Sequence, residues 1–266
     1  MRIVVKIAGA LLESAETTRL IARQIAEVSQ VGHEVLVLHG GGKILTSTME
    51  RLGLEPRFVN GLRVTDPATR DAALMVLAGL VNKRLVAMLA SAGQPAVGIC
   101  GGDGDTFLAE KMSLGGADLG FVGYLTGCNA TLLELLWVNG MVPVAASIAP
   151  GRDGEYYNIN ADHMAAACAE FCHAERLIYL TDVAGVLDGS AVLPRISARD
   201  LEALIRTRKV TGGMVLKLEA CRRALLSGVP LCGIVGGAQP GALSDAVFGS
   251  TPEACARGTR VEAAAL

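Results

Sequence analysis

Two lysines, one aspartate, one arginine and a run of glycines stand in settings where their chemistry could be used. Lys6 follows the apolar run Ile3-Val4-Val5 and precedes the small residues Ala8-Gly9-Ala10. A lysine within a buried strand is costly unless its ammonium meets a partner. A lysine at a strand end can also reach solvent, and both readings fit position 6. Lys217 follows Thr211-Gly212-Gly213-Met214, at the start of a helical stretch. A cation there opposes the helix dipole. An anionic ligand would rationalise it, and a solvated surface would also accommodate it. His39-Gly40-Gly41-Gly42 joins an apolar run to a helical one. Such a turn offers bare amides and a helix N-terminus to an anion, although a tight turn has the same composition. In Asn158-Ile159-Asn160-Ala161-Asp162, alternation lets Asn158 and Asn160 share a face. Asp162 falls at or near a helix start, where a plain cap is the simplest role. Arg63 carries a fork that matches a carboxylate, but one arginine alone says little.

Two familiar phosphate motifs are excluded. A Walker A loop needs a glycine about four residues before its Gly-Lys and a Ser or Thr after it. Here Gly42-Lys43 is followed by Ile44, and Val37 occupies the earlier position. The dinucleotide fingerprint would need GxGxxG in the first turn, and Ala8-Gly9-Ala10 does not supply it. The net charge of −2 and the lack of a polybasic run argue against nucleic acid as a partner. Phosphate-bearing ligands must then be held by a few placed lysines and amides. The opening Met1–Lys6 run is too short for a signal peptide. The longest apolar run, Ala72 to Val81, is about half of a bilayer-spanning helix. The expectation is a soluble, cytoplasmic protein with no membrane partner. Seven cysteines are scattered without a CxxC pair. Cys168, Cys172 and His173 invite a metal reading, but small buried thiols in a reducing compartment describe them better.

Elements that could position these residues alternate along the 266-residue chain. Strands are expected at Ile3–Ile7, Glu34–Leu38, Ala96–Ile99, Val142–Ala146, Leu177–Leu180 and Leu231–Val235, the last closing the sheet. Helices are expected near Thr17–Val31, Lys43–Leu52, Asp71–Ala92, Leu132–Asn139, Asn160 or Asp162 to Ala174, Ala198–Arg206 and Met214–Ser227. Phe107 to Thr126 is Gly-punctuated and should form hairpins. Half of the residues are apolar and only 4% are aromatic, which suits helices packed on a sheet. The alternation predicts an α/β fold, a three-layer αβα sandwich around a mostly parallel open sheet, with ligands beyond the carboxyl ends of the strands.

In their order, these pieces resemble the amino acid kinase superfamily and, within it, the N-acetylglutamate kinases. The likeness covers nearly the whole chain. It rests on Lys6 and Gly9, His39-Gly40-Gly41-Gly42, Asn60-Gly61-Leu62-Arg63-Val64-Thr65, Asn158 to Asp162, Thr181-Asp182-Val183-Ala184-Gly185-Val186, Gly213-Met214 leading to Lys217, and Gly258 to Val261 as a closing strand. Asn60 to Thr65 is the specific segment. The resemblance implies transfer of the γ-phosphoryl of ATP, with Mg2+, onto the side-chain carboxylate of N-acetyl-L-glutamate in arginine synthesis. It implies that Lys6 and Lys217 stabilise the transferring group and that Asp162 orients both. It gives Gly41, Gly42, Arg63, Asn158 and Asn160 to the acceptor. It gives Gly9, Gly40, Asp182, Val183, Ala184, Gly185, Val186, Leu187, Lys209, Val210 and Thr211 to the nucleotide. No protein metal ligand is implied. It further implies an acceptor-binding, dimerising lobe over 1–175 and an ATP-binding lobe over 176–266. The family usually has Gly where this chain has Ala8, which matters only if position 8 leaves ordinary extended backbone.

Arginine-inhibited members carry an extra N-terminal helix. With the first strand at Ile3, the expectation is an arginine-insensitive homodimer, and the apolar helix from Asp71 suits either a dimer seam or an internal core. Rival readings are a kinase for an N-acetyl-aminoadipate type of substrate, which would be expected to lack Asn60 to Arg63, and a non-catalytic ligand sensor on the same fold. The sensor would be expected to lose a catalytic lysine or Asp162, and all three are present.

Overall fold

The structure, a computed structural model, describes residues 1–113, 115, 118–189, 191–207, 210–249 and 257–263. In chain order the elements are β1 (Arg2–Ile7), α1 (Ala15–Gln30), β2 (Glu34–His39), α2 (Gly42–Arg51), β3 (Phe58–Val59), β4 (Leu62–Arg63), α3 (Pro67–Ala73), α4 (Asn82–Ser91) and β5 (Ala96–Ile99). There follow β6 (Phe107–Lys111), β7 (Val122–Cys128), α5 (Thr131–Val138), β8 (Val142–Ala146), β9 (Ile148–Pro150), β10 (Tyr156–Ile159), α6 (Ala161–Phe171) and β11 (Arg176–Thr181). The last are β12 (Leu187–Asp188), β13 (Ala191–Val192), β14 (Arg195–Ser197), α7 (Ala198–Arg206), α8 (Gly213–Leu226), β15 (Leu231–Gly236), α9 (Ala242–Phe248) and β16 (Gly258–Glu262).

Eight strands form the central sheet in the order β14-β16-β15-β11-β1-β2-β8-β5. Every neighbouring pair is parallel except β15 with β16. The expected αβα sandwich is therefore present. The expectation that Leu231–Val235 closes the sheet is corrected, because β16 and β14 lie outside β15. Those outer strands are short and half-polar, so they lack the continuous apolar run that marks an interior parallel strand.

Strand alternation decides which layer each side chain enters. On β1, Ile3, Val5 and Ile7 pack with Ile21, Ile25 and Val28 of α1 and with Leu85 and Leu89 of α4. Val4 points to the opposite face, among Ala165 and Cys168 of α6 and Leu218 and Cys221 of α8. Lys6 shares parity with Val4, so it faces the α6–α8 layer. The same alternation on β11 places Leu177 and Tyr179 on that face and Ile178 and Leu180 on the other.

The helix expected from Asp71 begins earlier. Pro67 takes the first helical position, and the Asp66 side chain accepts from the Thr69 N–H at 2.8 Å. From Pro67 to Ser91 it runs 25 residues, passing through a π-helical stretch, Leu74–Val81. It is long and apolar enough by length and composition to cross a membrane, a correction to the estimate from the Ala72–Val81 run. Ala72, Ala73, Val76, Leu77, Val81, Leu85 and Leu89 are buried within the protein, while Met75 and Leu80 are exposed. A smaller sheet, β6-β7-β10-β9, carries Asn158 on β10, and the β3–β4 hairpin carries Arg63 on β4. Asn60 and Gly61 turn that hairpin at φ 50° and 80°, an Asn-Gly turn of the kind two-residue hairpins favour.

Candidate active site

Lys6, Asp162 and Lys217 meet at the centre of the molecule. The Lys6 Nζ lies 2.8 Å from the Asp162 Oδ1. The Lys217 Nζ lies 3.0 Å from Oδ1 and 3.1 Å from Oδ2. Their exposures are 6%, 8% and 7%, so none of the three is a solvated surface charge. Asp162 does not cap α6. Asn160 does that, its side-chain oxygen accepting from the N–H groups of Asp162 at 3.0 Å and His163 at 3.1 Å. The carboxylate of Asp162 is thereby left to the two ammonium groups. Burial pushes the Lys6 ammonium below its usual pKa, against the pull of Asp162. Burial would raise the Asp162 carboxyl, but Lys6 and Lys217 outweigh it and hold it below the usual carboxylate value. Two cations and one anion leave a net positive charge beside a cavity, a setting suited to a phosphoryl group.

That cavity is lined by Lys6, Gly9, the Gly40-Gly41-Gly42 turn, Arg63, Asn158, Asn160 and Asp162. Close approach favours glycine at positions 9 and 41. A Cβ on Gly9 would lie 3.2 Å from the Cα and N of Gly41 and from the N of Gly42. A Cβ on Gly41 would lie 2.9 Å from the Leu77 Cδ2. Gly42 begins α2, and nothing stands within 4 Å of its missing Cβ. Ala8 has φ −67° and ψ 138°, and its N–H donates to the Leu180 carbonyl at 2.9 Å. Position 8 therefore holds ordinary extended backbone, and its methyl creates no strain.

The residues expected to hold the acceptor form the other wall. Arg63 is buried, its Nη2 donating to the Gly42 carbonyl at 3.0 Å and the Thr46 hydroxyl at 2.8 Å. Its guanidinium also lies 4.7 Å from the centre of the Phe58 ring. These contacts tie the fork to the first turns of α2. The Asn158 amide donates to the Thr65 hydroxyl at 3.2 Å, and that hydroxyl donates to the Arg63 carbonyl at 2.8 Å. Thr65 thus joins the Asn60–Thr65 segment to the Asn158–Asp162 segment.

Of the residues expected to hold the nucleotide, Gly9 and Gly40 line this cavity, and the other described ones do not. Asp182 follows β11, and the Thr181 hydroxyl donates to its carboxylate at 3.1 Å. The negative charge of Asp182 also acts on Lys6. Val183 and Leu187 are exposed, with Ala184 half-buried between them. Gly185 and Val186 are pinned by Thr259: the Val186 N–H donates to its hydroxyl at 2.8 Å, and a Cβ on Gly185 would meet that oxygen at 2.8 Å. The Val186 and Val210 side chains are buried in the core, so only their backbone is placed to serve a ligand. Thr211 is exposed beside the α8 N-terminus. Lys209 lies outside the described residues.

Residue patterns alone did not single out Tyr179. It is fully buried, pairs across from Lys6, and donates from its hydroxyl to the Asp162 carbonyl at 3.2 Å. Its ring centre lies 5.2 Å from the Lys217 Nζ, within cation–π range. The signal was present, since Tyr179 shares parity with Leu177 on a strand beside β1. Ser147 and Phe58 also line the cavity and were not singled out. The six described cysteines are free, and five of them are buried.

The profile of the amino acid kinase family matches residues 1–235, and this chain belongs to that family. Relatives named acetylglutamate kinase are closely similar. The one from Koribacter versatilis is 52% identical over 86% of this chain and 88% of its own length. The one from Solibacter usitatus is 49% identical over 94% of this chain and 96% of its own. Among solved structures, a Neisseria gonorrhoeae N-acetylglutamate synthase, complexed with coenzyme A and N-acetyl-glutamate, superposes with a TM-score of 0.87 at 25% identity. That match covers all of this chain and 60% of the synthase. The smu.665 protein of Streptococcus mutans gives 0.82 at 28% identity, covering 98% of both chains.

Proposed function

We infer that this enzyme transfers the γ-phosphoryl group of ATP to the side-chain carboxylate of N-acetyl-L-glutamate, forming N-acetyl-L-glutamyl 5-phosphate for arginine synthesis. The observation that carries the reading is Lys6 and Asp162 at the wall of a cavity also lined by Arg63, Asn158 and the glycine turn, with Asp162 holding Lys217 as well. The names of its relatives support the acceptor.

A carboxylate is already a nucleophile and needs no general base, so catalysis is positioning and charge stabilisation. Lys6 and Lys217 approach the transferring group from β1 and α8, and Asp162 fixes both ammonium groups. Gly9 and Gly40 present backbone to the phosphates, while Gly41 and Gly42 present amides to the acceptor carboxylate. Arg63, Asn158 and Asn160 hold the acceptor's remaining carboxylate and acetamido group. Asp182 to Leu187, with Lys209, Val210 and Thr211, hold the nucleotide.

Among the described residues there is no cluster of three or more His, Cys, Asp or Glu arranged for a metal. Mg2+ enters with the ATP phosphates in this reading, and offsets their charge. Residues 1–175 bind the acceptor and 176–266 the nucleotide. The protein works as a soluble cytoplasmic homodimer, with exposed Met75 and Leu80 on the Pro67–Ser91 helix as candidate seam residues. Light scattering at the mass of one chain would overturn the dimer. The functional test is ADP release with ATP, Mg2+ and a panel of N-acetylglutamate, glutamate, aspartate and N-acetyl-aminoadipate. Turnover confined to or strongest with N-acetylglutamate is expected, and folded protein that leaves it untouched would overturn the reading.

A further inference from the structure

His39 precedes the glycine turn, and the roles given so far leave it unused. It is fully buried at the end of β2, with its Nδ1 2.8 Å from the Gly40 carbonyl. Its Nε2 lies 3.1 Å from the Nδ2 of Asn82, which is also fully buried. The same Asn82 nitrogen donates to the Val144 carbonyl at 2.8 Å. Both N–H groups of the Asn82 amide are therefore committed, one to each acceptor. The His39 Nε2 must accept, so the proton of the neutral ring sits on Nδ1 and is donated to the Gly40 carbonyl. Turning the Asn82 amide over would set its oxygen against two acceptors. In the orientation seen, the Asn82 Oδ1 has no hydrogen-bond partner among the described residues. Burial holds the His39 pKa at about 4, so the ring stays neutral across the physiological range.

We propose that His39 and Asn82 are positioning residues that set the orientation of the Gly40–Gly41 peptide, and so the direction of the Gly41 N–H. In a trans peptide the carbonyl and the following N–H point in opposite directions. Holding the Gly40 oxygen on His39 turns the Gly41 N–H away from the ring, toward the cavity that Gly40, Gly41 and Gly42 line. The π-helical stretch adds a second support. It ends at Val81, one residue before Asn82, and its Leu77 and Val81 side chains occupy the space that a Cβ on Gly41 would need. π-Helical turns are often found at functional sites. Here the stretch both walls the glycine turn and delivers Asn82 to His39. The proposal rests on the reading above that the Gly41 amide serves the acceptor.

The test exploits shape. An asparagine amide nitrogen can replace the histidine Nδ1, whereas a glutamine nitrogen falls nearer the Nε2 position. His39→Asn should keep kcat/KM for N-acetylglutamate within about five-fold of the parent, and His39→Gln should lower it by roughly thirty-fold or more. The KM for ATP should move little in either. A side chain that only fills space would give the reverse order, since glutamine is closer to histidine in volume, and that order would overturn the proposal. A second measurement needs no activity. The 15N NMR of the unliganded protein should show His39 as the neutral Nδ1–H tautomer from pH 8 down to about 5. An Nε2–H tautomer would overturn the proposal even if N-acetylglutamate is turned over. An Nδ1–H tautomer in a protein that ignores N-acetylglutamate would sink only the functional reading.

Discussion

Replacing Asp162 by asparagine removes one charge and leaves two buried ammonium groups facing each other. Both lysines touch the same oxygen, at 2.8 and 3.0 Å, so they lie within about 6 Å of one another. At an effective dielectric near 20, their unshielded repulsion is about 3 kcal/mol. Breaking a buried ion pair by removing one partner typically costs about 3–5 kcal/mol, and the two estimates agree. Asp162→Asn should therefore lose about 3–5 kcal/mol in denaturant unfolding at pH 7, or roughly 5–15 °C in Tm. The pH dependence has a definite sign. Asp162 raises the pKa of Lys6, so removing it lowers the folded value further below the unfolded 10.5. The unfolded variant then binds more protons than the folded one, and its stability rises with pH toward 10.5. The deficit against the parent should narrow between pH 7 and pH 9. In the parent, Asp162 has a depressed pKa, so its stabilisation is present above 3.8 and is lost as the pH falls through the folded value. A variant within 1 kcal/mol of the parent at pH 7 would refute the charge assignment. So would a deficit that stays constant to pH 9.

Three further outcomes follow from the site. Ala8→Gly should leave kcat/KM within two-fold, because position 8 has ordinary extended backbone; a large gain in rate would show that the methyl obstructs the phosphates. Gly9→Ala places a methyl 3.2 Å from three backbone atoms of the glycine turn and should lower kcat/KM by about ten-fold or more with the far-UV spectrum unchanged. Arg63→Lys loses the fork that now meets the Gly42 carbonyl and Thr46. It should raise the KM for N-acetylglutamate about ten-fold while sparing that for ATP, and an equal rise in both would remove Arg63 from the acceptor site.

The layers of the fold were legible because interior parallel strands are continuous apolar runs. Val142–Ala146 has the boundaries expected of it, as do the edge strand Ala96–Ile99 and the helix Ala198–Arg206. The short elements were less legible. β3 and β4 have two residues each, too few for periodicity, so Arg63 read as part of a loop. The segment with Asn158, which forms β10, read only as an extended stretch. Lys6 and Lys217 could each be noticed as odd, but their meeting at Asp162 depends on contacts between residues 55 or more apart, which no local pattern encodes. Asp162 illustrates the limit. Its position suggested a cap, and only Asn160 taking that role frees its carboxylate for the lysines.

The most direct test of the central claim is ADP formation with saturating ATP, Mg2+ and N-acetylglutamate, comparing the parent with Lys217→Ala. The account predicts N-acetylglutamate-dependent ADP release by the parent and a loss of roughly a hundred-fold or more in kcat for the variant. A folded Lys217→Ala protein with full turnover would contradict the mechanism, and a folded parent with no N-acetylglutamate-dependent ADP release would contradict the function.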